Sequence, residues 1–243
     1  MSQSVTTLTP QDSVSQWIIE KPARSRIFEQ LGIDYCCGGK KPLAQACAAR
    51  GLNPADLLAQ LETQAAQKTE ERDWSQAPLR ELVEHIEQTH HAWLKRELPR
   101  LAGLIAKVSR AHGQRHPKVV TLHDLFTRFA AEMDSHMFKE ERILFPRIVA
   151  LETSAASGTK SLGNSGPDVD QPIAIMEHEH DDHGRALQQI GELTDNFSTP
   201  SDVCNTYRAM IDGLDELKRD THQHIHKENN ILFPRASALA QKH

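Results

Sequence analysis

The chain has 243 residues, with 28 Lys and Arg against 33 Asp and Glu and a formal net charge of -5. That length suffices for one large or two smaller domains, and an acidic balance without a basic patch excludes a nucleic-acid binder. Mean hydropathy is -0.54, and no window approaches the roughly 20 apolar residues that span a bilayer. The opening MSQSVTTLTPQDS has neither a basic start nor an apolar run, so it does not read as a secretory signal. Cys36, Cys37, Cys47 and Cys204 have the spacing of neither a disulfide framework nor a zinc ribbon. A reducing, cytoplasmic setting is expected from that usage. Fourteen histidines against two tyrosines point to a histidine-ligated site.

In chain order, residues 1–66 predict a small helical unit. Asp12 or Ser13 caps a helix through Glu20, Pro22 opens a second that stops at Gly32, Pro42 starts a third through Arg50, and Asn53-Pro54 opens a fourth to about Ala66. Between the second and third lies Asp34-Tyr-Cys36-Cys37-Gly38-Gly39, a turn by its glycines. Residues 67–77 are polar and aperiodic, and read as a linker. From Pro78 the apolar period becomes helical and long. Leu79, Leu82, Val83, Ile86, Leu94, Leu98, Leu101 and Ile105 form one stripe, which contains His90-His91. A second helix over 118–151 carries Leu122, Leu125, Phe126, Phe129 and Met133 on the face of His136. Residues 152–171 are rich in Ser, Gly and Pro and predict a long loop. A third helix from Pro172 aligns Ile173, Met176, His180, Leu187 and Ile190, and a fourth over 201–239 aligns Met210, Leu214, Leu217, His224 and Glu228. Four long amphipathic helices predict an all-α, up-down-up-down four-helix bundle over residues 78–243, preceded by the small helical domain.

One stretch recurs. His136-Met-Phe-Lys-Glu140-Glu-Arg-Ile-Leu-Phe-Pro-Arg147 and His224-Ile-His-Lys-Glu228-Asn-Asn-Ile-Leu-Phe-Pro-Arg235 match at eight of twelve positions, 88 residues apart. His and Glu four apart share a helix face, Ile143 and Ile231 are expected to continue that face into core, and Pro146 and Pro234 to end or kink each helix. Arg147 and Arg235 are expected to serve helix C-termini. The repeat extends upstream, since His91 precedes His136 by 45 residues and His180 precedes His224 by 44. His90 competes with His91 at nearly the same spacing. Each half is thus a histidine helix followed by an H-x-x-x-E helix.

Burying imidazoles and carboxylates without partners is costly, so two such faces make a shared metal the economical reading. A thiolate-free donor set fits Fe, Mn or Zn, and four histidines with two glutamates are too many for one tetrahedral zinc. They suit two ions bridged by Glu140 and Glu228, with room for an oxo, hydroxo or exogenous ligand.

These motifs carry a resemblance. Residues 78–240 resemble a haemerythrin-like domain, and residues 1–66 with Asp-Tyr-Cys-Cys-Gly-Gly resemble the amino-terminal domain of the iron–sulfur cluster repair di-iron proteins. The resemblance places the metal ligands on His91, His136, Glu140, His180, His224 and Glu228, favouring His91 over His90, with two Fe ions per chain. It implies a cytoplasmic stress-response protein that restores iron–sulfur clusters damaged by oxidative or nitrosative stress, through donation of iron to the damaged cluster proteins. Nitric oxide reduction at the di-iron site is an alternative activity, and sensing of oxygen or nitric oxide by a haemerythrin-like module another. A homodimer is left open. Oxygen-carrying haemerythrins have H-x-x-x-H on the third helix; here the position four before His180 is Met176, which weakens an oxygen-carrier reading.

Several residues remain. Glu132, one turn before His136, and Glu179, beside His180, are candidates to orient ligands or relay protons, and an ordinary buried carboxylate pair is the plain alternative. His183 could still reach the site. His178, His222 and His226 read as solvated, and His85 as packing or as a support behind a ligand. Cys36 and Cys37 are about 3.8 Å apart at Cα across a trans peptide, closer than ordinary disulfides want. The pair suits redox or transient iron transfer, and Lys40, Lys41 and the helix start at Pro42 are expected to lower its thiol pKa.

Overall fold

The computed structural model describes residues 8–65, 72–157 and 168–242. Among these no strand forms; Ser13 and Pro42 make one isolated bridge. The first unit is built from α1 (Val14–Glu20), a 3-10 turn at Pro22–Arg24, α2 (Ser25–Gln30), α3 (Leu43–Ala49) and α4 (Pro54–Ala65). Ser13 and Gln16 close a capping box on α1. Gly32 stops α2 at φ +66°, a left-handed conformation that glycine adopts without strain. The apolar faces meet around Phe28, Tyr35, Leu43, Leu57 and Leu61.

The cysteine turn is organised by one side chain. Asp34 Oδ1 accepts from the backbone N–H of Cys36 (2.9 Å) and Cys37 (3.1 Å), and Oδ2 from that of Gly38 (2.8 Å). Aspartate commonly caps a turn in this way. A side chain at Gly39 would place Cβ 2.4 Å from the Tyr35 carbonyl oxygen, so the turn requires glycine there.

The bundle comprises α5 (Leu79–Ile86) and α6 (Ala92–His112), α7 (Lys118–Lys139) and α8 (Phe145–Ser157), α9 (Asp170–Leu193), and α10 (Asn205–Lys227) and α11 (Phe233–Ala240). π-helical turns at Glu87–His91, Glu140–Leu144 and Glu228–Leu232 join α5 to α6, α7 to α8 and α10 to α11. The prolines therefore do not end their helices. The N–H of Phe145 bonds back to Glu140 O and that of Phe233 to Glu228 O. The widened turn ahead of Pro146 and Pro234 accommodates a residue that cannot donate, and the helix resumes. Single π turns of this kind recur at functional sites. The expected loop starts later than the composition suggested, because α8 runs to Ser157; residues 158–167 of that loop lie outside the described residues.

α6 packs on α7 and α10, and α7 on α9. The apolar interior is divided into two layers. One holds Leu94, Leu98, Phe126, Phe129, Met133, Leu187, Leu214 and Leu217. The other holds Leu82, Ile86, Leu144, Ile148, Met176, Leu232 and Phe233. Along each helix the proposed ligand lies between a residue of one layer and a residue of the other, so the polar groups form a band across the bundle.

Three sequence expectations change. Ile143 is 43% exposed while Ile231 is 7% exposed. Ile231 lies in the π turn that packs against α1 of the first unit, and Ile143 has no such cover. The motif arginines do not serve helix ends. Arg147 donates to Asp168 O, and Arg235 to Trp74 O and Ala77 O, so each pins the segment that leads into the other half's first helix. The described part of the linker is likewise packed, with Trp74 stacked on His85 at 4.2 Å between ring centroids.

Candidate metal centre

His91, His136, Glu140, His180, His224 and Glu228 are brought together in the polar band, each 0–1% exposed. They form two overlapping groups. His91, Glu140, His224 and Glu228 make one; His136, Glu140, His180 and Glu228 make the other. In each group the ligand atoms lie within 4.8 Å of one another, and Glu140 and Glu228 belong to both.

Within the groups, His91 Nε2 and His224 Nε2 are 3.1 Å apart, and His136 Nε2 and His180 Nε2 are 3.0 Å apart. Glu140 Oε2 lies 3.3 Å from both His91 Nε2 and His136 Nε2, and Glu228 Oε2 3.2 Å from His180 Nε2. His224 Nε2 is 3.0 Å from Glu228 Oε1.

The outward nitrogens explain why the inward ones converge. His91 Nδ1 donates to Glu141 Oε1 (2.9 Å), His136 Nδ1 to Glu179 Oε2 (2.9 Å) and His180 Nδ1 to Asn229 Oδ1 (2.7 Å). A neutral imidazole that donates through Nδ1 presents a bare lone pair at Nε2. Two such lone pairs 3.0 Å apart, beside two buried carboxylates, call for a cation between them. Neighbouring donors on one ion, each about 2.1 Å from it and near a right angle, are themselves about 3.0 Å apart. Glu140 Oε1 and Oε2 and Glu228 Oε2 have no hydrogen-bond partner, as expected of oxygens reserved for an ion. The donor set therefore fits a metal.

The electrostatics agree. Burial disfavours a charged His91, but the Glu140 carboxylate close to its Nε2 and the bond to Glu141 outweigh that and raise it to about 9. Burial likewise opposes charge on His136, and the Glu140 carboxylate with the Glu179 bond overcomes it, raising His136 to about 10. Burial would raise Glu140, yet the His136 charge holds it well below the usual carboxylate range. Without a metal, His91 and His136 therefore draw in protons. His224 runs the other way: burial lowers it despite Glu228, and its Nδ1 has no partner.

His90 faces away from both groups. Its Nδ1 donates to Asp220 Oδ1 (2.8 Å) and its Nε2 accepts from Lys227 Nζ (2.8 Å). His183 is buried edge-on to His136 at 4.9 Å but joins neither group. Glu179 bonds His136 rather than its neighbour His180, and its other oxygen accepts from Lys139. Glu132 is exposed, a correction to the expected carboxylate beside His136. The buried stripe of α7 runs through Phe129, Met133, His136 and Met137, and Glu132 falls on its solvent edge. His226 is buried rather than solvated, with Nδ1 3.3 Å from the Tyr35 carbonyl oxygen, because the first unit covers it.

Glu141 and Asn229 were missed as ligand anchors. They occupy one position of the repeat, each directly after a proposed bridging glutamate, and that shared place was the available signal.

The cysteine turn rests on the centre's outer wall. Cys37 Sγ is 3.4 Å from His180 O and lies over Gly184, while Asn230 donates to Cys36 O at 3.1 Å. The two Sγ atoms are 3.8 Å apart, hydrogen-bonded and not joined in a disulfide. Cys36 is buried. Its hydrogen bond to Cys37, burial and the Asp34 carboxylate push its thiol up, not down. Lys40 instead pairs with Glu177 of α9.

Residues 82–236 match the Hemerythrin HHE cation binding domain, which sets this chain among haemerythrin-like, cation-binding helical bundles with a metal-binding site. Residues 10–65 match a domain of unknown function, DUF542. The iron-sulfur cluster repair protein YtfE of Pectobacterium atrosepticum is 40% identical over 227 residues, covering 92% of this chain and 96% of that protein. Its namesake from Escherichia coli O157:H7 is 39% identical over 217 residues, covering 89% and 92%. The chain belongs to the family of the iron–sulfur cluster repair protein YtfE.

Proposed function

We propose that this chain repairs iron–sulfur clusters damaged by oxidative or nitrosative stress, acting as a non-haem di-iron protein that donates iron. The first unit, residues 1–66, would present the cysteine pair, and the bundle, residues 78–243, would hold the iron. The observation that carries the reading is the pair of buried four-residue groups sharing Glu140 and Glu228. His91 and His224 would hold one iron and His136 and His180 the other, with the two glutamates and an oxo or hydroxo group bridging them. Iron bound there would supply both the cargo for a damaged cluster and the capacity to change oxidation state.

The residues of the chain have distinct tasks. Glu141, Glu179 and Asn229 fix the Nδ1–H tautomer of three imidazoles and so direct their Nε2 lone pairs inward. The apolar layers on both sides exclude water. Cys36 and Cys37, placed against the backbone of His180, are positioned to receive iron or an electron on its way to a client. The substrates are proteins carrying damaged iron–sulfur clusters. No described helix is long and apolar enough to cross a membrane.

The test loads the protein with iron-57 and incubates it with a nitrosylated cluster protein. The label is expected in the repaired cluster. A Cys36→Ser/Cys37→Ser double variant should keep its iron and lose most repair activity. Label that stays wholly with the donor while clusters recover would refute donation, and a double variant that repairs at the parental rate would leave the thiols without a role.

A further inference from the structure

The two halves of the bundle place corresponding residues at corresponding points, and at one point the residues differ in kind. Glu179 directly precedes His180; in the other half His90 directly precedes His91. Lys139 and Lys227 also correspond, 88 residues apart. In one half Lys139 holds Glu179, and Glu179 accepts the Nδ1–H of His136. In the other half Lys227 holds His90, yet His90 does not accept from His224. It lies flat on that ring, with centroids 5.4 Å apart and planes inclined by 7°. Its own Nδ1 is spent on Asp220. His224 Nδ1 is consequently buried with no acceptor, the only one of the four proposed imidazole ligands in that condition.

A hydrogen-bonded second nitrogen fixes a ligating imidazole's tautomer and orientation and raises its basicity, and losing such a partner typically weakens metal binding about 10–100-fold. We infer that the centre is built asymmetrically: the iron bounded by His91 and His224 is the one released, and His90, standing where the other half has Glu179, is the positioning residue that makes it labile. The inference rests on the two-iron reading above and says which iron serves as cargo. A second observation concerns access. A cavity of about 400 Å³ is lined by His85, His90, Asp220 and Lys227 of the bundle and by Ile18 and Tyr35 of the first unit. It lies on the His224 side of the band, beyond the ring of His90. On the His136–His180 side, His183 packs edge-on against His136 and Phe129, and Cys37, 3.4 Å from His180 O, stands between the centre and a second cavity of about 500 Å³.

The experiment measures iron release from the fully loaded, full-length protein into excess ferrous chelator. Two phases of equal amplitude are expected, the first about 10–100-fold faster than the second. His90→Glu, which offers His224 the acceptor that Glu179 offers His136, should slow the fast phase and leave the slow one. Glu179→Leu, which roughly keeps size and removes the acceptor of the His136 Nδ1–H, should accelerate the slow phase toward the fast one. Refilling the fast site alone with iron-57 should then give a single Mössbauer doublet. Release of both irons at one rate, or a fast phase indifferent to His90→Glu, overturns the inference. If His90→Glu does not fold, an unaltered slow phase in Glu179→Leu overturns it equally. A chain that binds no iron on reconstitution defeats the two-iron reading itself; a chain that binds two and releases them alike defeats only the asymmetry.

Discussion

Glu140→Gln tests the shared carboxylate most directly. Glu140 is fully buried, with Oε2 3.3 Å from the Nε2 atoms of both His91 and His136. In an effective dielectric near 20, each contact with a charged imidazole is worth about 5 kcal/mol before desolvation. Removing one partner of a buried charge pair has a net cost of about 3–5 kcal/mol. The variant keeps the volume and loses the charge, so metal-free protein should unfold roughly 6–20 °C lower, at about 2–4 °C per kcal/mol for a chain of this size. The sign of the pH dependence follows from the imidazoles. His91 and His136 are raised to about 9 and about 10. Their stabilisation is therefore fully present below the ordinary histidine value of about 6.5 and is lost as pH rises through those raised values. The gap between parent and variant should be widest near pH 6 and should shrink above pH 10. Calorimetry of the metal-free proteins across that range, with iron content measured in parallel, is the assay. An unchanged melting temperature at pH 6, or two tightly held irons in the variant, would refute the placement of this carboxylate between the two groups.

Three further outcomes are expected. Glu228→Ala, which removes the other shared carboxylate, should lower iron content below two per chain by elemental analysis; full occupancy would remove Glu228 from the ligand set. A fragment of residues 72–243 should fold and bind iron, because every proposed ligand and the Arg235 tie to Trp74 and Ala77 lie within it. It should melt below the full chain, since Ile231 and His226 lose their cover; a soluble but iron-free fragment would show that the first unit contributes to the centre. Cys204, exposed at the start of α10, is lowered to about 7 by the backbone N–H of Tyr207 and by His112. It should be the first thiol alkylated, with a rate that rises with pH through a midpoint near 7. Faster modification of Cys36, whose thiol is buried and raised, would contradict the turn geometry.

The repeat alone determined much about this protein. His and Glu four apart, repeated 88 residues on and preceded in each half by another histidine, specify helices, their pairing and a convergent donor set. That follows because helical periodicity is local: a ligand face and an apolar face at one spacing must both turn inward. The cap at Asp12 or Ser13 and the stop at Gly32 were legible for the same reason, while the capping box and the left-handed φ came with the structure. Only the tertiary structure decided what touches what across helices. The π turns reset the register after His91, Glu140 and Glu228, so that Pro146 and Pro234 sit inside continuing helices. Burial of His226 and Ile231, and the raised Cys36 thiol, depend on how the first unit docks on α10 and the π turn that follows it. The partners of the ring nitrogens, Glu141, Glu179 and Asn229 for three imidazoles and none for His224, are set by side chains from different helices. Hydrogen bonds between residues 43–50 positions apart leave no periodic trace in a chain, and it is they that distinguish the two halves of the centre.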